Sequence, residues 1–318
     1  MTTETTTYAD VDQAFSTRTV PWMKMGQLKD EPQAAAQAAK LGGIDFTVSE
    51  HPVSFMTKED GKPPRYTKID GRKAIVRDDT GDWLSIVSRA YPVLQYGEAF
   101  DFMDQVSPHF VAAGGLRGGR QAFMVVQVEL PTDLTKLLDG EDPHEMYGVL
   151  RTSHDCSRAV EVMVMPLRGR CMNQLTLQSF RKDVKFRWVV THTGDVKAKL
   201  AAAEDSIKRL DTYARTYVDN VERLNAVTVS DEAAQDVLKR VLPDRPRRDE
   251  VITKIITGWH TRPEVGFEGT GWGLVNAVSE YFEWQRSGGT PESRFLAALQ
   301  GQTHKAINKT AALVLSRN

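Results

Sequence analysis

The chain has 318 residues, of which 41% are hydrophobic and 26% are charged, and its 41 Lys and Arg residues nearly balance its 42 Asp and Glu residues. This composition is typical of a globular protein and excludes a collagen-like chain, a disulfide-dense mini-domain and a wholly disordered chain. The sequence has no apolar run of about 18 residues and no secretory signal at its N-terminus, so we expect an intracellular protein without a membrane span.

The first half of the chain predicts a sheet with few helices. Residues 1–19 are polar and rich in Thr, and we expect them to form a flexible arm. Residues 73–78 and 82–88 have strand-forming sequences on either side of Asp79-Thr80-Gly81, which predicts a hairpin. The remaining predicted elements are helices at 30–41 and 97–106, a flexible Gly-rich turn at 114–120, and strands at 44–55, 122–129, 147–152, 159–165 and 184–191.

The second half of the chain predicts helices. Apolar residues recur every 3.5 residues on average over 196–224, which indicates one long amphipathic helix. Further helices are predicted at 230–242, 249–259, 271–285, 291–299 and 303–315. The predicted fold class is therefore α+β, with an antiparallel, sheet-rich N-terminal and central part and a helical C-terminal half. The predicted organisation is an arm at 1–19, an α+β core domain at 20–194, and a helical region at 195–318 that packs on the core or on neighbouring subunits.

Residues 153–157 contain a histidine, a carboxylate, a thiol and hydroxyls in direct succession. Adjacent side chains on a strand point to opposite faces, so His154 and Asp155 can pair only if the chain bends there. Three interpretations stay open for this segment. It is a structural polar bend, a turn that contacts a ligand, or an enzyme pocket that uses His154, Asp155 and Cys156.

No other motif indicates catalysis or a cofactor. The Gly-rich segment 115–120 lacks the Lys and hydroxyl of a phosphate-binding loop and leads into a strand instead of a helix. Cys156 and Cys171 have no CxxC spacing, and we expect two reduced, buried thiols. His192, His260 and His304 show no metal-ligand spacing. We therefore expect no metal, no cofactor and no catalytic residue.

The clearest chemical pattern is a basic stretch over residues 168–188. Residues 151–199 contain ten basic and four acidic side chains, a net charge of +6. On a strand, Lys185 and Arg187 share one face and Phe186 and Trp188 share the other, so the cations can follow a phosphate backbone. An exposed sheet face kept in solution by Lys and Arg is the alternative. The predicted nucleic-acid contacts are Arg117, Arg120, Arg158, Arg168, Arg170, Asn173, Arg181, Lys182, Lys185 and Arg187, with Tyr66, Tyr91 and Tyr96 as candidates for base stacking.

An ordered set of short blocks resembles a family of phage- and plasmid-borne proteins known as domain of unknown function 932. The most specific block is Arg151-Thr-Ser-His-Asp-Cys-Ser157, which is followed by Pro166-Leu-Arg-Gly-Arg-Cys-Met-Asn-Gln-Leu175. Cys156 stands where we expect Gly in this family. The other blocks are 22–26, 88–95, 114–123 and 270–280.

This resemblance implies a mobile-element origin, a bacterial cytoplasmic setting and a comparison with phage single-strand annealing proteins. Those proteins form rings or filaments and hold single-stranded DNA in a basic groove. The resemblance and the basic stretch together lead us to expect a non-catalytic, homo-oligomeric protein that binds and anneals single-stranded DNA in homologous recombination, with a phage exonuclease as a possible partner. The alternatives are a factor that binds a host protein through the helix at 195–226, and an enzyme that uses the His154 segment.

Overall fold

The computed structural model describes residues 11–16, 27–29, 31–129, 131–168, 187–190, 210–286, 288, 293, 297 and 301–317. These residues form two β-sheets, followed by helices in the C-terminal half. The predicted α+β class is confirmed. None of the described helices is long and apolar enough to cross a membrane.

The larger sheet has seven strands in the order β10-β9-β8-β7-β6-β1-β2. All neighbouring strands are antiparallel except β1 and β2, which pair in parallel. The strands are β1 (Val11–Ser16), β2 (Gln27–Leu28), β6 (Phe110–Leu116), β7 (Gln121–Val128), β8 (His144–Ser153), β9 (Val160–Arg168) and β10 (Arg187–Val190). Strands β6, β7 and β8 are buried along nearly their whole length, which explains their continuous apolar sequences.

The smaller sheet is formed by β3 (Val48–Thr57), β4 (Arg65–Arg77) and β5 (Trp83–Ser88), in that order and antiparallel. Gly81 has a φ of +76° in the turn between β4 and β5, which confirms the predicted hairpin there. The outer ends of β3 and β4 extend beyond β5 as a two-stranded arm. Two helices of the N-terminal half, α1 (Ala35–Leu41) and α2 (Tyr96–Val106), contact each other and pack on the larger sheet.

The C-terminal half contributes α3 (Leu210–Ala226), α4 (Asp231–Val241), α5 (Arg248–Thr261), α6 (Gly271–Glu280) and α7 (Gln302–Leu315). One π-helical turn, Tyr281–Gln285, continues α6. Side-chain caps explain two of the starts, because the hydroxyls of Ser230 and Thr270 accept hydrogen bonds from the amides of Ala233 and Gly273. The predicted long helix is seen from Leu210 onward, and residues 191–209 lie outside the described residues.

A buried polar cluster joins the larger sheet to the helices. Asp142, just before β8, accepts hydrogen bonds from Arg168 Nε (2.5 Å) and from Trp272 Nε1 of α6 (2.7 Å). Arg168 Nη1 also donates to the Glu264 carbonyl at 2.7 Å. His144 Nδ1 lies 2.7 Å from the Asp142 carbonyl oxygen, and burial lowers the pKa of His144 to about 4, which keeps this imidazole neutral.

Two predicted elements differ from the structure. Val11–Ser16 lies inside the predicted flexible arm but forms β1, because its backbone pairs with β6. Gly114, Gly115 and Leu116 lie inside the predicted turn but belong to β6, and the turn itself is limited to residues 117–120. Glycine marks turns in a sequence, yet it also suits a buried strand where two backbones come close, and the sequence does not separate these two uses.

Candidate nucleic-acid interface

The outer face of the smaller sheet carries an aromatic ring and cations side by side. Directly paired residues share a face, so the pairs Arg72↔Ser88, Ala74↔Ile86 and Val76↔Trp83 place Arg72, Ile86 and Trp83 together. The opposite face is turned inward, where Ser85 Oγ donates to the His154 carbonyl at 2.5 Å. We call the group Arg72, Trp83, Ile86, Arg117 and Arg120 the outer patch.

Trp83 is the centre of the outer patch. It is 59% exposed, and Ile86 beside it is 52% exposed. The Arg120 guanidinium lies over the Trp83 indole, 5.2 Å from the ring centroid, which is cation–π geometry. A large exposed indole next to an apolar side chain and an arginine can accept a flat aromatic group, such as a nucleobase.

The turn that carries Arg117 and Arg120 is anchored at several points. Arg117, Gly118 and Gly119 all have positive φ angles, between 56° and 76°. The Tyr96 hydroxyl donates to the Gly119 carbonyl at 2.9 Å, and the His154 amide donates to the Arg120 carbonyl at 2.8 Å. A side chain at Gly119 would approach the Phe46 ring to 2.8 Å, so this residue must be small. The turn thereby holds Arg120 over Trp83 and leaves Arg117 exposed three residues earlier in the same turn.

The arm formed by β3 and β4 is exposed on both faces. Met56 pairs with Tyr66 and Ser54 pairs with Lys68, so one face carries a row of an apolar, an aromatic and a basic side chain. Tyr66 is 71% exposed, the largest fraction among the exposed large hydrophobic residues of the described chain. A two-stranded ribbon with two open faces is marginally stable in water, which favours a partner that covers it.

The outer patch and the arm carry a moderate excess of positive charge, because residues 48–89 and 117–120 contain ten Lys and Arg residues and seven Asp and Glu residues. The seven cations of this surface form no ion pair with any carboxylate in the described ranges, whereas Lys62, Lys73 and Arg77 nearby are paired with Glu59, Glu50 and Asp79. The unpaired cations are Lys58, Arg65, Lys68, Arg72, Arg89, Arg117 and Arg120. An exposed surface with unneutralised cations attracts polyanions.

Arg168 is wrongly predicted as a phosphate contact. Its side chain is 0% exposed and its guanidinium is bound by Asp142 and the Glu264 carbonyl. It also lies 5.7 Å from the Phe267 ring centroid. A buried arginine held in this way cannot reach a nucleic-acid backbone, and its role is to join the sheet to the helices.

Arg187 and Arg158 lie nearer the surface than Arg168. Arg187 is partly exposed and donates to Glu161 at 2.7 Å, and Glu161 is shared with the buried Arg151. Exposure alternates along β10 as predicted, with Arg187 outward and Trp188 partly covered. The Arg158 backbone amide donates to Ser153 Oγ at 3.1 Å. The other predicted contacts, Arg170, Asn173, Arg181, Lys182 and Lys185, lie outside the described residues.

Of the three tyrosines predicted to stack on bases, only Tyr66 is accessible. Tyr96 is fully buried, and its ring stacks on His154 with centroids 4.0 Å apart. Tyr91 is buried too, and its hydroxyl donates to the Ser153 carbonyl at 3.0 Å. These two predictions are wrong because both rings are used to hold the bend after β8.

The His154 segment is a structural bend in the described chain. The Asp155 carboxylate accepts from the Ser157 amide at 2.9 Å, while the His154 ring packs against Tyr96 and Phe46, which also contact each other. Cys156 is exposed, which corrects the predicted buried thiol. Although the residue is exposed, partial desolvation of its sulfur and the nearby Asp155 charge raise the pKa of the Cys156 thiol, so the environment does not favour the thiolate. This geometry supplies no activated nucleophile.

Sequence reasoning missed Trp83, Ile86 and Arg72 as site residues. One signal was present, because β5 has apolar residues on both faces, with Leu84 and Val87 turned in and Trp83 and Ile86 turned out. Such a strand either is covered on both faces or leaves an apolar face open. The sequence alone does not show which of the two applies.

The comparison with known families gives one result. The model of the family described as Domain of unknown function (DUF932) matches residues 83–314, more than two thirds of the chain. The chain belongs to this family. The match begins at Trp83 and includes β5 to β10, the described helices α2 to α6 and all but the last residue of α7. Comparisons with curated proteins and with solved structures return no match.

Proposed function

We propose that this DUF932 protein binds single-stranded DNA through the outer patch and the adjoining β3–β4 arm, without catalysis. The observation that carries the proposal is the exposed Trp83 indole with the Arg120 guanidinium over it. Single-strand binders combine an aromatic stacking surface with cations that follow the backbone, and both are present here. Arg72 and Arg117 would meet phosphates on either side of the stacked base.

The annealing function, the ring or filament assembly, the exonuclease partner and the bacterial cytoplasmic setting belong to the same proposal. They are supported by the resemblance to phage single-strand annealing proteins. In such a protein the bound strand keeps its bases available for pairing, so contacts should be mainly to phosphates and to a few stacked bases. The predicted contacts among residues 170–187 belong to the same proposal.

The test is fluorescence anisotropy with a labelled single strand and the matching duplex, between about 50 and 300 mM salt. We expect preference for the single strand and a steep decrease of affinity with salt. Trp83→Ala should weaken binding by about 5- to 150-fold, which corresponds to about 1–3 kcal/mol for one stacked base. Trp83→Phe should retain most of the affinity because it keeps a ring.

A double variant separates the contribution of charge from that of stacking. The protein that carries both Arg72→Ala and Arg117→Ala should show a slope of log affinity against log salt that is smaller by about 1.4, because each lost single-strand phosphate contact contributes about 0.7. Trp284→Ala and Arg215→Ala are matched controls from the helical half and should bind normally. Normal binding by Trp83→Ala would refute the outer patch, and no binding at low salt would refute the DNA-binding function.

The variant Lys185→Ala with Arg187→Ala tests the stretch predicted from the sequence. If this variant and Trp83→Ala each weaken DNA binding, then the bound DNA strand continues from the outer patch onto residues 170–187. If it alone weakens binding, the interface lies on that stretch and the outer patch has another role. Because Arg187 is paired with Glu161, a thermal melt of this variant is needed as a folding control.

The alternative proposal is a host protein that binds the helix at 195–226. In the described part of this helix, α3, the apolar face is already buried in this chain. Tyr213, Tyr217, Val221 and Leu224 of α3 are buried in the core of this chain. The outward face of α3 is polar, with Arg215 paired to Asp211 four residues earlier. A partner protein on this helix would therefore have to recognise the polar face.

A further inference from the structure

A cleft of about 510 Å³ lies in the helical half, between the end of α4, the start of α5, the π-helical turn and α7. This volume is within the range of pockets that hold one small ligand, about 300–1,000 Å³. The cleft is lined by residues within the segment 241–251, by residues of the π-helical turn and by residues of α7. It is formed by other elements than the outer patch, so it calls for a separate explanation.

The described lining of the cleft is basic. Among the residues that the structure describes there, none is acidic and six are cationic, namely Arg245, Arg247, Arg248, Arg286, Lys305 and Lys309. Part of this charge is neutralised by neighbouring carboxylates, since Arg248 pairs with Asp244 at 2.9 Å and with Asp249 at 3.7 Å, and Arg247 lies 4.0 Å from Glu250. Arg245 and Lys305 form no ion pair with any described carboxylate, and Lys309 donates to the Arg240 carbonyl. Arg245 and Lys305 are therefore the cations of the cleft that can attract an anion.

An apolar wall stands beside these cations. Phe282 and Tyr281 form one side, with their rings edge to face and their centroids 5.5 Å apart. The Arg286 guanidinium lies 5.9 Å from the Phe282 centroid. Pro243 and Pro246 add further apolar surface. The cleft therefore suits a ligand with an anionic part and a flat, apolar part.

Two uncommon backbone conformations occur at this cleft. Arg247 has a φ of +72°, in the left-handed region that non-glycine residues rarely adopt. Tyr281–Gln285 forms the π-helical turn, and π turns within helices are frequent at functional sites. Arg247, Tyr281 and Phe282 all line the cleft, so both conformations belong to its wall.

We propose that the cleft binds a small organic anion with several phosphates and a planar ring, which is the chemistry of a nucleoside triphosphate. Arg245 and Lys305 would bind phosphates, and the base would lie against Phe282. The phosphorylated 5′ end of a DNA strand offers the same chemistry. This inference does not depend on DNA binding by the outer patch, because the two surfaces share no residue.

The first experiment is a titration of the full chain with a nucleoside triphosphate carrying a fluorescent methylanthraniloyl group. Arg245→Ala with Lys305→Ala should weaken binding by about tenfold or more, since two charge-assisted contacts are lost. Both side chains are exposed, so the fold should tolerate their replacement. Lys239→Ala, an exposed lysine of α4 outside the lining, is the matched control and should bind normally.

A second experiment separates the ring from the phosphates. Phe282→Leu should lower the affinity for the nucleotide, and it should leave the affinity for inorganic triphosphate, measured by competition, unchanged. A 5′-phosphorylated oligonucleotide that competes better than its 5′-hydroxyl form would identify a strand end as the source of the ligand, and failure of both to compete would identify a free nucleotide. The proposal is overturned if neither nucleotide nor phosphorylated strand binds, or if the double variant binds as well as Lys239→Ala. Trp83→Ala serves as an independence control, because it should not change nucleotide binding.

Discussion

At the scale of single residues, Cys156 shows how a departure from a family pattern can keep the local geometry. The resemblance leads us to expect Gly at this position, and Cys156 has a φ of +59°, the conformation that glycine adopts without strain. The bend is held by Gln121, whose amide donates to Ser157 Oγ at 2.7 Å, and by the hydrogen bond from the Ser157 amide to Asp155. The backbone of the bend therefore has the conformation expected with Gly, although the residue differs.

The first prediction concerns the stability of variants at Cys156. Cys156→Gly should leave the free energy of unfolding unchanged or raise it by less than about 1 kcal/mol, because relief of left-handed strain is partly offset by the greater chain entropy of glycine. Cys156→Val should lower it by about 1–2 kcal/mol, because a β-branched residue fits this region poorly. Urea unfolding measures both, and a Val variant as stable as the Gly variant would contradict the argument.

At the same scale, accessibility was the property least visible in the sequence. The sequence identifies Tyr66, Tyr91 and Tyr96 as equivalent candidates, yet only Tyr66 is exposed. The cation Arg168 has the same chemistry as Arg117, but it is buried against Asp142. Whether a side chain is buried depends on elements that are distant in sequence, and no local pattern contains that information.

At the scale of elements, periodicity predicted most helices and strands correctly. The hairpin around Gly81 and the helices α2, α4 and α5 lie within a few residues of their predicted positions. Close packing explains the two glycines of the block at residues 270–280. A side chain at Gly273 would approach the Phe267 carbonyl oxygen to 2.0 Å, and one at Gly271 would approach Val314 to 2.4 Å. Both glycines allow α6 to pack closely, which the sequence alone could not distinguish from a turn signal.

A three-residue contact ties helices α4 and α5 to the loop before α6. His260 Nδ1 lies 2.5 Å from Glu268 and its Nε2 lies 2.9 Å from Asp231. Hydrogen bonding to Glu268, with a further contribution from Asp231, raises the pKa of His260 above its ordinary value of 6.5. The histidine appears isolated in the sequence because its partners are 29 and 8 residues away.

The second prediction is a pH-dependent contribution of His260 to stability. Because the pKa is raised in the folded state, the protonated imidazole stabilises the fold fully below about pH 6.5, and this contribution is lost as the pH rises through the folded-state pKa. His260→Gln should therefore lower the free energy of unfolding more at pH 6 than at pH 8.5, by about 0.5–1 kcal/mol, since the contact is partly exposed. A difference between the two proteins that stays constant or grows with pH, in urea unfolding, would contradict this account.

At the scale of the whole molecule, the fold class was predictable from the sequence and the candidate site was not. The change from alternating to 3.5-residue apolar spacing near residue 195 indicates sheet before helix, and the structure confirms that order. The outer patch depends instead on how the smaller sheet rests on the larger one, through contacts such as Ser85 with His154. Those contacts leave Trp83 uncovered, and their partners are 69 residues apart.

The same long-range packing makes Arg168 a connection between the sheet and the helical half. Arg168 and Asp142 are both fully buried, and Trp272 of α6 and the Glu264 carbonyl complete the cluster. Removal of one member of a buried ion pair leaves the other charge without compensation, which costs about 3–5 kcal/mol. We therefore expect the two halves to unfold together in the wild type.

The last prediction tests this connection with Arg168→Met. The variant should lose about 3–5 kcal/mol of unfolding free energy, and the double variant with Asp142→Asn should recover part of the loss because no unpaired buried charge remains. Arg215→Met, which removes an exposed pair with Asp211, is the control and should lose less than about 1 kcal/mol. Urea unfolding is followed by far-ultraviolet circular dichroism and by tryptophan fluorescence. If Arg168→Met is no more destabilising than Arg215→Met, the buried cluster does not hold the two halves together.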